Sequence, residues 1–168
     1  MISIKKFFFI LLICLFNIST SFSSEKVVFI DIDYLLNNSN LGKIIFKELE
    51  KVNKDNIELL ETKEKKIKER KAKINQTKNI SSEEKLANDI KVFNEDVEKF
   101  RLEKEKLVKD FKLLKEQKLT NFLKKINPII QNYMEDNSID IVLEKKQIFI
   151  GSGDKDITND IMLLINKS

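Results

Sequence analysis

Histidine and tryptophan are missing altogether from this sequence of 168 residues, and cysteine occurs once, at Cys14. Without histidine the commonest general base and metal ligand is gone, which leaves catalysis and zinc binding with few building blocks. Three glycines and one proline allow very few turns, so the elements must be long and uninterrupted. Nor is there an excess of one charge. The chain has 31 basic and 27 acidic residues, interspersed along its length, and that pattern is no nucleic-acid footprint.

Long apolar runs are also scarce, and the one present is N-terminal. Lys5 and Lys6 precede Phe7 to Phe16, every residue of which is apolar, and Ser21-Phe22-Ser23 follows with small residues spaced for a peptidase. This is the three-part layout of a secretory signal, residues 1–23, with cleavage expected after Ser23. The run falls short of the roughly 20 residues that span a bilayer as an anchor. Cys14 follows Ile13 and precedes Leu15-Phe16, whereas lipidation wants a small residue before the cysteine, so it reads as part of the apolar run. The exported chain then has no cysteine and no disulfide framework. Removing Lys5 and Lys6 leaves 29 basic against 27 acidic residues.

Period divides the remainder into three regions. Lys26 to Ile32 is β-branched and aromatic, which predicts a strand; a short helical turn at Asp33–Leu36 and a polar loop at Asn37–Asn40 follow. From about Leu41 to Asp136 the pattern is helical. Leu86, Ile90, Phe93, Val97, Phe100, Lys104, Leu107, Phe111 and Leu114 step by four and three, a heptad seam interrupted by one lysine. The first limb is weaker, with Ile45, Leu49, Val52, Leu59/Leu60, Ile67 and Ile74. Asn75 to Ile80 lacks good helix formers, and Ser81 with Glu84 fits a capping box, so the chain turns near 75–81 and returns antiparallel. Last, Ile139–Leu143 and Gln147–Ile150 predict a hairpin turning at Glu144–Lys146, and Asp156 caps a final amphipathic helix.

The predicted fold is α+β: a long antiparallel α-helical coiled-coil hairpin, residues 41–129, inserted in a small β-rich head of residues 24–40 and 130–168. A head of about 56 residues without metal or disulfide buries too little surface to stand alone, and oligomerisation is the remaining stabiliser. Val28, Ile30, Ile141, Leu143 and Phe149 are its candidates for apolar interior or interface.

Chemistry-bearing motifs are weak. Glu83-Glu84 and Glu103/Glu105 sit among lysines on a solvated helix, where ion pairs are common and weak. Gly151-Ser152-Gly153-Asp154 lacks the GxxxxGK[ST] pattern of a phosphate loop and reads as a turn. No enzyme, cofactor or metal is expected. Two features point instead to binding. Lys63, Lys65, Lys66, Lys68, Arg70, Lys71, Lys73 and Lys78 face only Glu64 and Glu69 in their stretch, which predicts a basic hairpin tip able to meet anionic lipid heads or acidic segments. Phe93, Phe100 and Phe111 belong mainly to the seam, yet a two-helix hairpin cannot enclose them fully, so part of their surface should be open to an apolar client.

The strand Lys26–Asp31 followed by Ser39-Asn40-Leu41-Gly42-Lys43, and the ending Ile139–Leu143, Ile148–Ile150 and Asp156–Ile161, resemble the Skp (OmpH-like) periplasmic chaperones. The resemblance covers essentially the whole exported chain, its middle in character and length only. It implies a homotrimer whose strands form a barrel-like body with three helical hairpins hanging around a cavity. It further implies an ATP-independent holdase for unfolded outer-membrane proteins in the periplasm. The exposure and charge patterns above place the expected client contacts at Phe93, Phe100, Phe111 and at Lys65, Lys66, Lys68, Arg70, Lys71 and Lys73. A coiled-coil spacer or adaptor between envelope proteins, with no client of its own, is the alternative.

Overall fold

The computed structural model describes residues 25–167; the signal-sequence reading, Cys14 included, lies outside them. Val27–Ile30 form strand β1, Ile32–Asn38 helix α1, Asn40–Thr77 helix α2 and Glu83–Asp136 helix α3. Ile141–Glu144 form strand β2 and Thr158–Lys167 helix α4, with 3-10 turns at Lys145–Gln147 and Gly153–Lys155 between them. At about 1.5 Å per residue the 38 residues of α2 reach about 55 Å, and α3 returns alongside. None of the helices described is long and apolar enough to cross a membrane.

The expected polar loop at Asn37–Asn40 is instead a tight helical corner. Ser39, fully buried, stops α1 by donating its N–H to the Leu35 carbonyl at 2.9 Å and starts α2 by accepting from Gly42 N–H at 3.0 Å. A Cβ on Gly42 would lie 1.7 Å from the Leu36 carbonyl oxygen, so the two helices meet this closely only with glycine there. The far turn is Lys78–Ser82, later than expected, because Asn75–Thr77 remain helical. Ser82 rather than Ser81 is the cap, accepting from Lys85 N–H at 3.4 Å. The Ser81–Glu84 box therefore does not form; Glu83 and Glu84 occupy the first turn, where the helix dipole favours them.

The expected β-hairpin is also corrected. β2 pairs in parallel with β1, Val27 opposite Ile141 through Ile30 opposite Glu144, and the arm is the crossover between them. Gln147–Ile150 form no strand. A tight hairpin needs residues with φ above zero, and the only non-glycine one among the described residues is Ser138, at the end of α3. Instead Lys145 and Lys146 reach across to Asp156 (2.9 Å) and Asp33 (2.7 Å). On the other edge of β1, Ile157 N–H donates to the Phe29 carbonyl at 3.0 Å.

One core holds head and arm together. Val28, Ile30, Leu35, Ile139, Ile157, Ile161 and Ile165 pack with Ile45 from α2 and with Phe122 and Ile126 from α3. The head thus completes its core with the base of the arm. A polar clamp closes it: Asp31 N–H donates to Thr158 Oγ1 (2.9 Å), Thr158 donates to Asp156, and Lys145 donates to the other oxygen of Asp156. Burial pushes the Asp156 carboxyl up, but the bonds from Thr158 and Lys145 outweigh it and leave the carboxyl below its ordinary range. Nearby, Tyr133 OH donates to Asp160 at 2.7 Å, and that bond, with burial, pushes its pKa up to about 12.

Candidate functional site

Along the arm the seam is part apolar and part ionic. Ile45, Leu49, Val52, Leu60, Ile67 and Ile74 face inward from α2; Leu86, Phe93, Phe100, Leu107, Phe111 and Leu114 face inward from α3. Between these apolar layers the α2 seam carries Lys63 and Arg70, and α3 answers with Glu103 and Asp96. Lys63 pairs with Glu103, Arg70 with Asp96 at 2.9 Å, and nearer the head Lys118 with Glu48. The expected seam positions Ile90, Val97 and Lys104 are accordingly displaced. Asp89, Asp96 and Glu103 take the half-buried side, and Ile90 and Val97 lie exposed. A half-desolvated cation on one helix requires a counter-charge on the other, and at Asp96 that need outweighs exposing Val97.

Phe93, Phe100 and Phe111 are half-buried between the limbs, and Lys115 Nζ stands 5.7 Å from the Phe111 ring centre. Lys65, Lys66, Lys71 and Lys73 carry no ion pair among the described residues. Lys68 pairs with Glu64 at 2.7 Å, and this bond holds the Glu64 carboxyl below its ordinary range. Lys66, Lys73 and Lys99, with Ile67 and Phe100, line an open groove of about 590 Å³ between the limbs. The basic run does not make the tip itself strongly positive. From residue 70 to residue 96, round the turn, six basic side chains meet five acidic ones, because Glu83, Glu84, Asp89, Glu95 and Asp96 return on α3.

Of the candidate interface residues, Val28 and Ile30 (each 3% exposed) sit in the core of the chain itself. Ile141, Leu143 and Phe149 are exposed, Phe149 almost completely, beside the equally bare Ile150. Sequence reasoning missed Phe46, Ile57, Val108 and Leu119, apolar residues on the outside of the arm. Their signal was an eleven-residue step, overlooked because the seven-residue seam accounted for the periodicity. Among the described residues no cluster of three or more histidine, cysteine, aspartate or glutamate side chains could hold a metal.

A long arm that presents surface on every side, rooted in a small mixed head, defines a hairpin-armed α+β fold. The family model described as Outer membrane protein (OmpH-like) matches residues 26–164, so the chain belongs to the OmpH-like family. A solved structure described as OmpH-like, from Caulobacter crescentus, superposes with a TM-score of 0.79 at 12% identity, covering 85% of each chain. No curated protein matches by sequence.

Proposed function

We propose that the chain is an ATP-independent holdase of the periplasm that keeps unfolded outer-membrane proteins from aggregating, its arms arranged around a cavity by a trimeric head. The observation that carries this reading is the arm: about 55 Å of helix pair with apolar side chains left in water. Unfolded barrel strands expose alternating apolar residues and unpaired backbone edges. Many weak, non-directional contacts from several arms retain such a chain by avidity and release it without fuel. The OmpH-like family and the OmpH-like Caulobacter neighbour support the reading. The exposed Ile141, Leu143 and Phe149 supply the surface through which heads would join. Contact with an anionic membrane surface would fall to the unpaired lysines of α2 rather than to the nearly neutral turn.

The test is to dilute an outer-membrane β-barrel protein from urea into buffer with the exported form of the chain, residues 24–168, and follow light scattering. Suppressed scattering without nucleotide is the expected result. Unchanged scattering would remove the holdase reading and leave the spacer or adaptor.

A further inference from the structure

Of the exposed apolar side chains of the arm, five fall into two regular series; Ile44, Leu59, Ile90, Leu102 and Leu113 are exposed outside those series. Phe46 (42% exposed) and Ile57 (47%) are on α2; Val97 (38%), Val108 (63%) and Leu119 (41%) are on α3. Within each helix they recur every eleven residues, close to three turns, so each series keeps to one stripe. The cross-limb ion pairs show which residues lie opposite. Six steps headward from Lys63–Glu103 lie Ile57 on one limb and Lys109, next to Val108, on the other. Two steps headward from Glu48–Lys118 lie Phe46 and Thr120, next to Leu119. Phe46/Leu119 and Ile57/Val108 are therefore two rungs across the arm, about 16 Å apart.

Both stripes fall on one side. At about 100° per residue, Phe46 and Ile57 stand roughly a quarter-turn forward of the α2 seam, and Val97, Val108 and Leu119 stand forward of the α3 seam in the same sense. In an antiparallel pair equal senses share a side. Lys66 and Lys73 on α2 and Lys99 on α3 stand a quarter-turn in the other sense, and these three do line one groove, on the other side.

We infer that the side bearing Phe46, Ile57, Val97, Val108 and Leu119 is the one against which extended apolar polypeptide is held. This deepens the holdase reading and rests on it. The spacing selects the occupant. A second helix, including the arm of another copy, needs apolar contacts every three to four residues, about 5 Å, and here polar residues such as Asn53 and Lys112 fill the gaps between rungs. The exposed apolar area, a few hundred Å², is well below the roughly 800 Å² per partner of a stable interface. Extended chain advances about 3.3 Å per residue, so about five residues of an unfolded client pass from one rung to the next.

The test compares two variants of the exported chain: Phe46→Ser/Ile57→Ser/Val108→Ser/Leu119→Ser on this side, and Leu102→Ser/Leu113→Ser, equally exposed, at the back of α3. The probe is a fluorophore-labelled outer-membrane β-barrel protein diluted from urea, and circular dichroism and solution mass confirm that each variant keeps its fold and assembly. The rung variant should bind the probe at least ten-fold more weakly, and the back variant within two-fold of wild type. Milder Ile57→Thr/Val108→Thr, which keeps β-branched shape, should weaken binding in the same direction. Equal losses from both sides, or none from the rungs while wild type binds, would overturn the inference alone. A wild-type chain that binds no probe would overturn the holdase reading and the inference with it.

Discussion

At the base of the arm Phe122 and Ile126 are completely buried, whereas between residues 46 and 121 no side chain of either helix reaches that state. The base shares its core with two strands and two short helices. The distal arm has one partner only, so every seam residue keeps an open flank, and Lys63, Arg70, Asp96 and Glu103 occupy places that a buried core would fill with leucine. Stability is thus concentrated at one end and accessible surface at the other. A molecule built this way can change its arm's surface without endangering its fold.

The largest effect that should expose this contrast comes from deleting apolar volume at matched sites. Phe122→Ala opens a cavity in the shared core and should cost about 3–5 kcal/mol of unfolding free energy. Ile74→Ala, in the half-open distal seam, should cost no more than about 1 kcal/mol, since most of the space is refilled by water and neighbouring side chains. Urea denaturation of both variants measures this. Similar losses would mean that the arm is stabilised along its length.

An intermediate effect belongs to the polar clamp. Thr158→Val removes both the acceptor for Asp31 N–H and the donor to Asp156, leaving a part-buried N–H unpaired; the expected cost is about 1–3 kcal/mol. The pH dependence has a definite sign. Asp156 has a lower carboxyl pKa folded than unfolded, so its contribution is complete above the ordinary carboxylate range and disappears as the pH falls through the depressed folded value. Thr158→Val should therefore flatten the acid limb of the stability curve, as well as lowering it at neutral pH. An acid limb unchanged in slope would remove Asp156 from the account.

Much of this division was legible in the sequence. The paucity of glycine and proline, the heptads from Leu86 to Leu114 and the β-branched ends gave the arm and the head. What escaped was settled by interactions between residues distant in sequence. β2 found β1 rather than Gln147–Ile150 because Glu144–Lys146 holds no residue suited to a tight turn, and Lys145 and Lys146 find carboxylates elsewhere. Ser39 read as a loop residue because a single serine ending one helix and starting the next looks like any polar linker. The seam shifted from Val97 and Lys104 to Asp96 and Glu103 because apolar periodicity ignores the charge carried by the opposite limb. The surface stripe at Phe46, Ile57, Val108 and Leu119 needed that cross-limb register before its members could be seen as neighbours.

The smallest predicted effect is the most informative about the arm. Arg70 and Asp96 are each more than a third exposed, so their pairing is worth only about 0.2–1 kcal/mol in a double-mutant cycle with alanine. The coupling should vanish in 1 M salt, where screening acts within about 3 Å. The pair's stronger role is in setting which face of α3 meets α2. Replacing both residues by leucine would join the Ile67/Phe100 and Ile74/Phe93 layers into a continuous apolar seam, a change that is neutral or stabilising for many partly buried pairs. Amide exchange across residues 63–103 should then slow while global stability, set at the base, hardly moves. The same variant should bury its distal phenylalanines more tightly without altering the Ile57/Val108 rung, so client affinity should persist as the arm stiffens. Slower exchange with client binding lost would mean that bending of the distal seam, rather than the outer stripe, governs retention.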